Sequence, residues 1–184
     1  MEKKKSLNVR LICTSIATLL IWGHLAWDYY QGGVPMHYLY IFEGFPGISN
    51  WWGGLVIPLL TWFSLGLIHK RVHASDNNKP VVKHYPKSIV IGFVGALFLG
   101  ILISISFAHG NTSIPGLLVL AMLPLALFIP IYRAEYLLGF VLGMTYIFGP
   151  ILPIGMGVVL MILFAVTYKY IRPGILCIAS IIKG

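Results

Sequence analysis

The sequence predicts an all-α fold: a polytopic membrane helix bundle of six transmembrane helices, with a structured outer loop between the first two. Three observations carry that prediction. Hydrophobic residues make up 58% of the 184 positions and charged residues 10%, with a mean hydropathy of +0.88, whereas soluble domains carry about 25% charged residues. Apolar runs long enough to cross a bilayer alternate with short basic segments. In a six-span arrangement all thirteen Lys and Arg residues fall on one side, and the stretch from Trp22 to Trp52 carries none. Positive flanks are retained on the cytoplasmic face, so the expected setting is the plasma (inner) membrane with both termini cytoplasmic.

The first span is read over residues 11–28, behind the basic segment Met1 to Arg10. That segment resembles a signal-peptide n-region, but no small-residue cleavage site follows the apolar run, so the span is expected to be retained. A 22-residue connection with Gly32, Gly33, Pro35, Gly44, Pro46 and Gly47 follows; connections of that length in compact bundles are functional or carry structure of their own. Ser49 and Asn50 are N-cap candidates for the second span, read over 51–68 and stopped by Lys70 and Arg71.

Residues 69–87 hold five basic side chains with Asp76, Asn77 and Asn78 and read as a solvated loop. The third span, 88–108, contains glycines at 92, 95 and 100 that permit close helix approach. The fourth, 114–132, holds Pro124 and Pro130, each lacking a backbone donor and therefore expected to kink it. Thirty-three uncharged residues run from Tyr136 to Tyr168. A straight helix of that length would measure about 50 Å against a hydrocarbon core of about 30 Å. Gly149, Pro150, Pro153 and Gly155 supply the break, giving spans over 136–149 and 151–168 and an interfacial amphipathic tail over 173–184. The chain is read as one integral membrane domain, 1–184.

A net charge of +8 would suggest nucleic acid in a soluble chain. Here the basic residues flank apolar runs as topogenic anchors, which excludes that class. Cys13 and Cys177 belong to no ligand or redox spacing. His69 and His73, beside Lys70 and Arg71, read as a flank for anionic lipid; Arg133 and Glu135 are expected to pair with each other or cap adjoining helices.

The chemistry is expected at the outer face. His24 and Asp28 are four apart and share one helix face, about 5–6 Å between Cβ atoms. His37 and Glu43 follow in the long connection, and His109 reaches the same face from the end of the third span. Three imidazoles and two carboxylates match the ligand set of an open catalytic metal site with water in the remaining position. The expectation is that His24, Asp28, His37 and His109 bind a divalent transition metal, zinc favoured, and that Glu43 and Asp28 act as catalytic carboxylates on a lipid or other amphiphile. Trp27, Tyr30, Asn50 and Trp51 would wall the substrate pocket.

The plainer alternative is a His24–Asp28 hydrogen bond between helices, solvated loop residues at His37 and Glu43, a turn residue at His109, and tryptophans that anchor at headgroup depth. No nucleophile in a Gly-rich setting accompanies Ser64, Ser104 or Ser106, which disfavours a serine hydrolase. Six spans in about 180 residues with a long outer loop resemble, in size and span count, the substrate-binding subunits of energy-coupling vitamin transporters. That resemblance implies a small-solute binding subunit with a cytoplasmic partner. A third alternative is a structural subunit whose glycines at 92, 95 and 100, or 139 and 143, pack against a membrane-protein partner or a second copy.

Overall fold

The structure, a computed structural model, describes residues 2–37, 47–74, 86–111 and 113–183. Among them α1 spans Glu2–Tyr30, α2 Gly53–Ala74, α3 Lys87–Ala108, α4 Ser113–Phe128, α5 Ala134–Phe148, α6 Ile151–Val166 and α7 Arg172–Lys183. Four helical stretches are long and apolar enough to cross a membrane: Ser6–Tyr30, Asn50–Ala74, Lys87–Ala108 and Ile151–Ile178. With 16 and 15 residues, α4 and α5 measure about 24 and 22 Å. The fold is the expected all-α bundle of an integral membrane protein.

Contacts along the helices set their directions. The Trp22 indole donates to the Gly54 carbonyl at 3.2 Å and Arg10 to the Trp62 carbonyl at 3.0 Å, so α1 and α2 run antiparallel. Gly92 meets Tyr136, Gly100 meets Gly143, and Phe107 stacks on Phe148, so α3 and α5 run parallel. Arg71 at the end of α2 pairs with Glu135 at the start of α5. Lys169 lies over the Tyr132 ring and Arg172 over Tyr168. These contacts bring Arg10, Arg71, Arg133, Lys169 and Arg172 to one end of the bundle, here the basic end; Trp22, Trp51 and Tyr29 mark the opposite, aromatic end.

The tightest packing joins α3 to α5. Gly92, Ala96, Gly100 and Ser104 are all buried and recur every fourth residue, forming one stripe along α3. On α5, Gly139 and Gly143 answer it. A Cβ at Gly139 would collide with the Phe93 carbonyl, one at Gly143 with the Leu97 carbonyl, and one at Gly100 would lie 2.6 Å from the Phe140 carbonyl. Lipid offers an apolar side chain no disadvantage, so helices associate in membranes by such backbone proximity rather than by the hydrophobic effect. The Ser104 hydroxyl adds a 3.3 Å hydrogen bond to the Gly143 carbonyl. Glycines 92, 100, 139 and 143 are therefore engaged within the chain and not offered to a partner, whereas Gly95 faces open space.

Several boundaries differ from the sequence reading. The first helix is not confined to 11–28: it takes in the basic segment and runs 29 residues, about 43 Å. The fourth ends at Phe128 rather than 132, because Pro130 lacks a donor and biases residue 129 away from helical angles. Pro124 stays inside it. Between α5 and α6, Gly149 adopts φ 66°, a left-handed conformation that glycine takes without penalty, and Pro150 caps the next helix.

The expected tail is helix α7, Arg172–Lys183, and it continues the line of the sixth helix. The backbone stays helical from α6 through a π-helical turn at Thr167–Ile171 into α7. Pro173 explains that wider turn: it has no N–H, and its ring would meet the carbonyl of Lys169 in a regular α-helix.

Candidate functional site

Among the described residues, a groove of about 650 Å³ is bounded by four helices. One wall is α1, through Val9, Cys13, Ala17, Leu20, Ile21 and His24. The others are α2 around Thr61 and Leu65, α3 around Val90 and Phe93, and α5 from Glu135 to Tyr146. α2 packs on both α1 and α5, and α3 packs on α5, whereas α1 and α3 line opposite sides of the groove. The volume lies within the roughly 300–1,000 Å³ of small-molecule sites. From Val9 to His24 the α1 wall extends about 22 Å at 1.5 Å per residue.

The walls are apolar even where the sequence is not. The Thr61 hydroxyl donates to the Ile57 carbonyl at 2.8 Å and Thr145 to Val141 at 2.6 Å, so both donors are occupied within their own helices. Polarity is confined to the two ends. At the aromatic end His24 Nε2 lies 3.5 Å from Asp28 Oδ2, and the imidazole stacks on the Tyr146 ring with centroids 4.9 Å apart. His24 Nε2 is buried and makes no hydrogen bond, since the approach to Asp28 falls short of one in geometry.

At the basic end the Arg71 guanidinium forks onto Glu135, Nη1 to Oε2 at 3.0 Å and Nη2 to Oε1 at 2.8 Å. Glu135 is 2% exposed and Arg71 33%. A carboxylate that deep in a membrane helix is tolerated only when paired, and the two-pronged arrangement satisfies both of its oxygens. Of the two expectations for Arg133 and Glu135, pairing with each other or capping, Arg133 takes the N-cap position of α5, while Glu135 pairs with Arg71, 64 residues away in sequence.

The outer-face residues of the sequence reading are brought together only in part. His24 and Asp28 form the pair described above. His109 caps the end of α3, exposed, its Nδ1 2.8 Å from the Ile105 carbonyl. Glu43 and the side chain of His37 lie outside the described residues; the His37 backbone belongs to a two-residue antiparallel ladder, Met36 opposite Ser49 and His37 opposite Ile48. Among the described residues no three His, Cys, Asp or Glu side chains are grouped to hold a metal ion.

Of the aromatic set, Trp27, Tyr30 and Trp51 are exposed at the aromatic end, Tyr30 at 86%, and the groove is lined by other residues. Asn50 is buried and lines a second cavity of about 520 Å³, with Phe148, Pro150 and Met156. Ser49 is the cap expected of it, its hydroxyl accepting from the Trp51 N–H at 3.4 Å.

Sequence reasoning missed the groove itself. Its α1 positions, 9, 13, 16, 17, 20, 21 and 24, follow helical spacing and were there to be read. Leu and Ile on the lipid-facing side of the same helix have the same character, so hydropathy does not separate the two faces. Comparison of the chain with protein-family models, curated proteins and solved structures finds no match. The structural findings define an integral membrane protein with a laterally placed, apolar, polar-ended groove.

Proposed function

We propose that this protein takes a single-chain amphiphile sideways from the bilayer, holds its apolar chain in the groove, and presents its polar head to His24, Asp28 and Tyr146. The observation that supports the reading is the groove: apolar along about 22 Å, lined by α1 and α3 among its walls, and polar only at its ends. Lipid is the solvent of these helices, so a ligand reaching an opening between α1 and α3 is itself lipid-like. The His24 side chain, 18% exposed, and the exposed Tyr146 line the groove at its aromatic end, where a headgroup finds polar partners.

A catalytic form of the reading follows from the His24–Asp28 pair. A carboxylate 3.5 Å from an imidazole nitrogen is placed to orient the ring, as in a general base held by an acidic neighbour. Mass spectrometry of the amphiphiles that co-purify with the protein tests the binding reading. Ala17→Trp fills the groove midway along α1 and is expected to remove the retained species; equal retention by the filled variant overturns the proposal. Assaying ester hydrolysis in lipid extracts with wild-type and His24→Ala protein tests the catalytic form, which predicts turnover by the wild type only.

A further inference from the structure

The two ends of the groove differ in a way that fixes how a chain lies in it and how long that chain is. At the aromatic end the polar groups stand at the rim: His24 and Asp28 retain partial solvent access, and Tyr146 is exposed. At the basic end the groove runs into buried groups from three helices, Ile68, Ile89, Leu138 and Glu135. Glu135 has both oxygens taken by Arg71, and Arg10 at the same end turns to the Trp62 carbonyl and ring and is not among the groove's lining residues. Among the groove's lining residues, the polar side chains with solvent access, His24 and Tyr146, stand at the first end, whereas Glu135 at the second is buried and paired.

We infer that the groove measures its ligand: an amphiphile with one extended alkyl chain sits with its head at His24 and its methyl terminus against the Arg71–Glu135 floor. This rests on the reading of the groove as an amphiphile site. An extended chain with carbon–carbon bonds of ~1.5 Å advances roughly 1.25 Å per bond, so about 22 Å accommodates about eighteen carbons. A volume of about 650 Å³ suits one such chain with its head and is small for a two-chain lipid. Chains beyond that length meet Ile68, Ile89 and Leu138, all under 9% exposed, and overpacking a closed site is penalised. Much shorter chains leave part of the groove unfilled and lose the contacts there.

Cys13 supplies a built-in reporter. It lines the groove eleven residues before His24, hence about 16 Å from the rim, a distance spanned by about thirteen carbons. Cys177, the other cysteine, is exposed on α7. In a Cys177→Ser protein held in an amphipathic polymer free of lipid, the rate of Cys13 alkylation by a small apolar thiol reagent is measured with octanoyl, dodecanoyl, hexadecanoyl and docosanoyl monoglycerides. The expected result is no protection by octanoyl, at least tenfold protection by hexadecanoyl, and weaker protection by docosanoyl.

Equal protection by octanoyl and hexadecanoyl overturns the inference, because it places the head at the basic end. Protection that keeps rising through docosanoyl removes the floor. Photoreactive hexadecanoyl monoglyceride, followed in parallel, separates two failures. Crosslinking to groove residues without Cys13 protection sinks the orientation and leaves the groove site standing, whereas neither crosslinking nor protection sinks the site as well. Ala17→Trp lies between rim and reporter, and is expected to abolish hexadecanoyl protection while leaving Cys13 reactive.

Discussion

The α3–α5 contact and the facing of α1 against α3 lie in the same bundle and are built from residues of similar hydropathy, yet one is closed to backbone contact and the other holds a cavity. The difference is side-chain size at the fourth-residue spacing. On α3 and α5 the positions that meet are glycine, alanine and serine, and main chains touch. On α1 the groove positions are mostly Ile, Leu, Val and Cys, with no glycine stripe to bring a neighbour close. Between helices already surrounded by lipid, large apolar side chains supply no net drive to associate. The seam is therefore closed at backbone distance, and a cavity remains beside it.

The seam is where substitution is expected to do most damage. Gly143→Leu places side-chain atoms where the Leu97 backbone stands, a collision that no rotamer relieves, and is expected to lose about 3 kcal/mol or more. Thermal unfolding in detergent reads this out. Gly95→Leu, on the same α3 helix but facing open space, is the control and is expected to stay within about 0.5 kcal/mol of wild type. Comparable losses at both positions would mean that the seam is not the organising contact.

The ion pair comes next. Arg71→Ala leaves the Glu135 carboxylate buried without its partner; breaking a fully buried pair costs about 3–5 kcal/mol, and the partial exposure of Arg71 places this one nearer about 2 kcal/mol. The double variant Arg71→Met with Glu135→Met is expected to recover most of that loss, because apolar replacements of both partners remove the burial penalty. Chemical denaturation of the two single variants and the double variant checks the recovery through the coupling between the sites.

The groove side is expected to be the most tolerant. Ala17→Trp enlarges a buried residue that also lines the groove, so stability should fall by about 1 kcal/mol, the low end of overpacking, while amphiphile retention is lost. His24→Ala is smaller still in its structural effect and should weaken retention without removing it, since the chain contacts remain.

How much of this was legible in sequence follows the same division. The helical runs, with boundaries shifted by a few residues or more, the break at Gly149 and Pro150 and the cap at Ser49 rest on local composition and are present in the structure, and among the described residues Arg10, Arg71, Arg133, Lys169 and Arg172 gather at one end. Glycines at 92, 100, 139 and 143 were visible as close-packing residues, but their partner was not. Two such stripes can meet within a chain or between chains, and hydropathy is blind to the choice. The Arg71–Glu135 pair joins residues 64 apart, and nothing at either position names the other. Asp28 beside His24 followed from a spacing of four. The groove behind them did not, because lipid-facing and groove-facing positions of α1 carry the same residue types.

Site-resolved photolabelling tests the central claim most directly. A hexadecanoyl chain carrying a diazirine near its methyl end is added to the full-length protein in the bilayer, and labelled peptides are sequenced. The groove reading predicts labels concentrated on Ile68, Ile89 and Leu138, the buried residues at the floor, and their loss in Ala17→Trp. Labels confined to outward-facing Phe63, Ile91 and Phe98, unchanged in that variant, would show that the chain stays in the surrounding lipid and contradict the account.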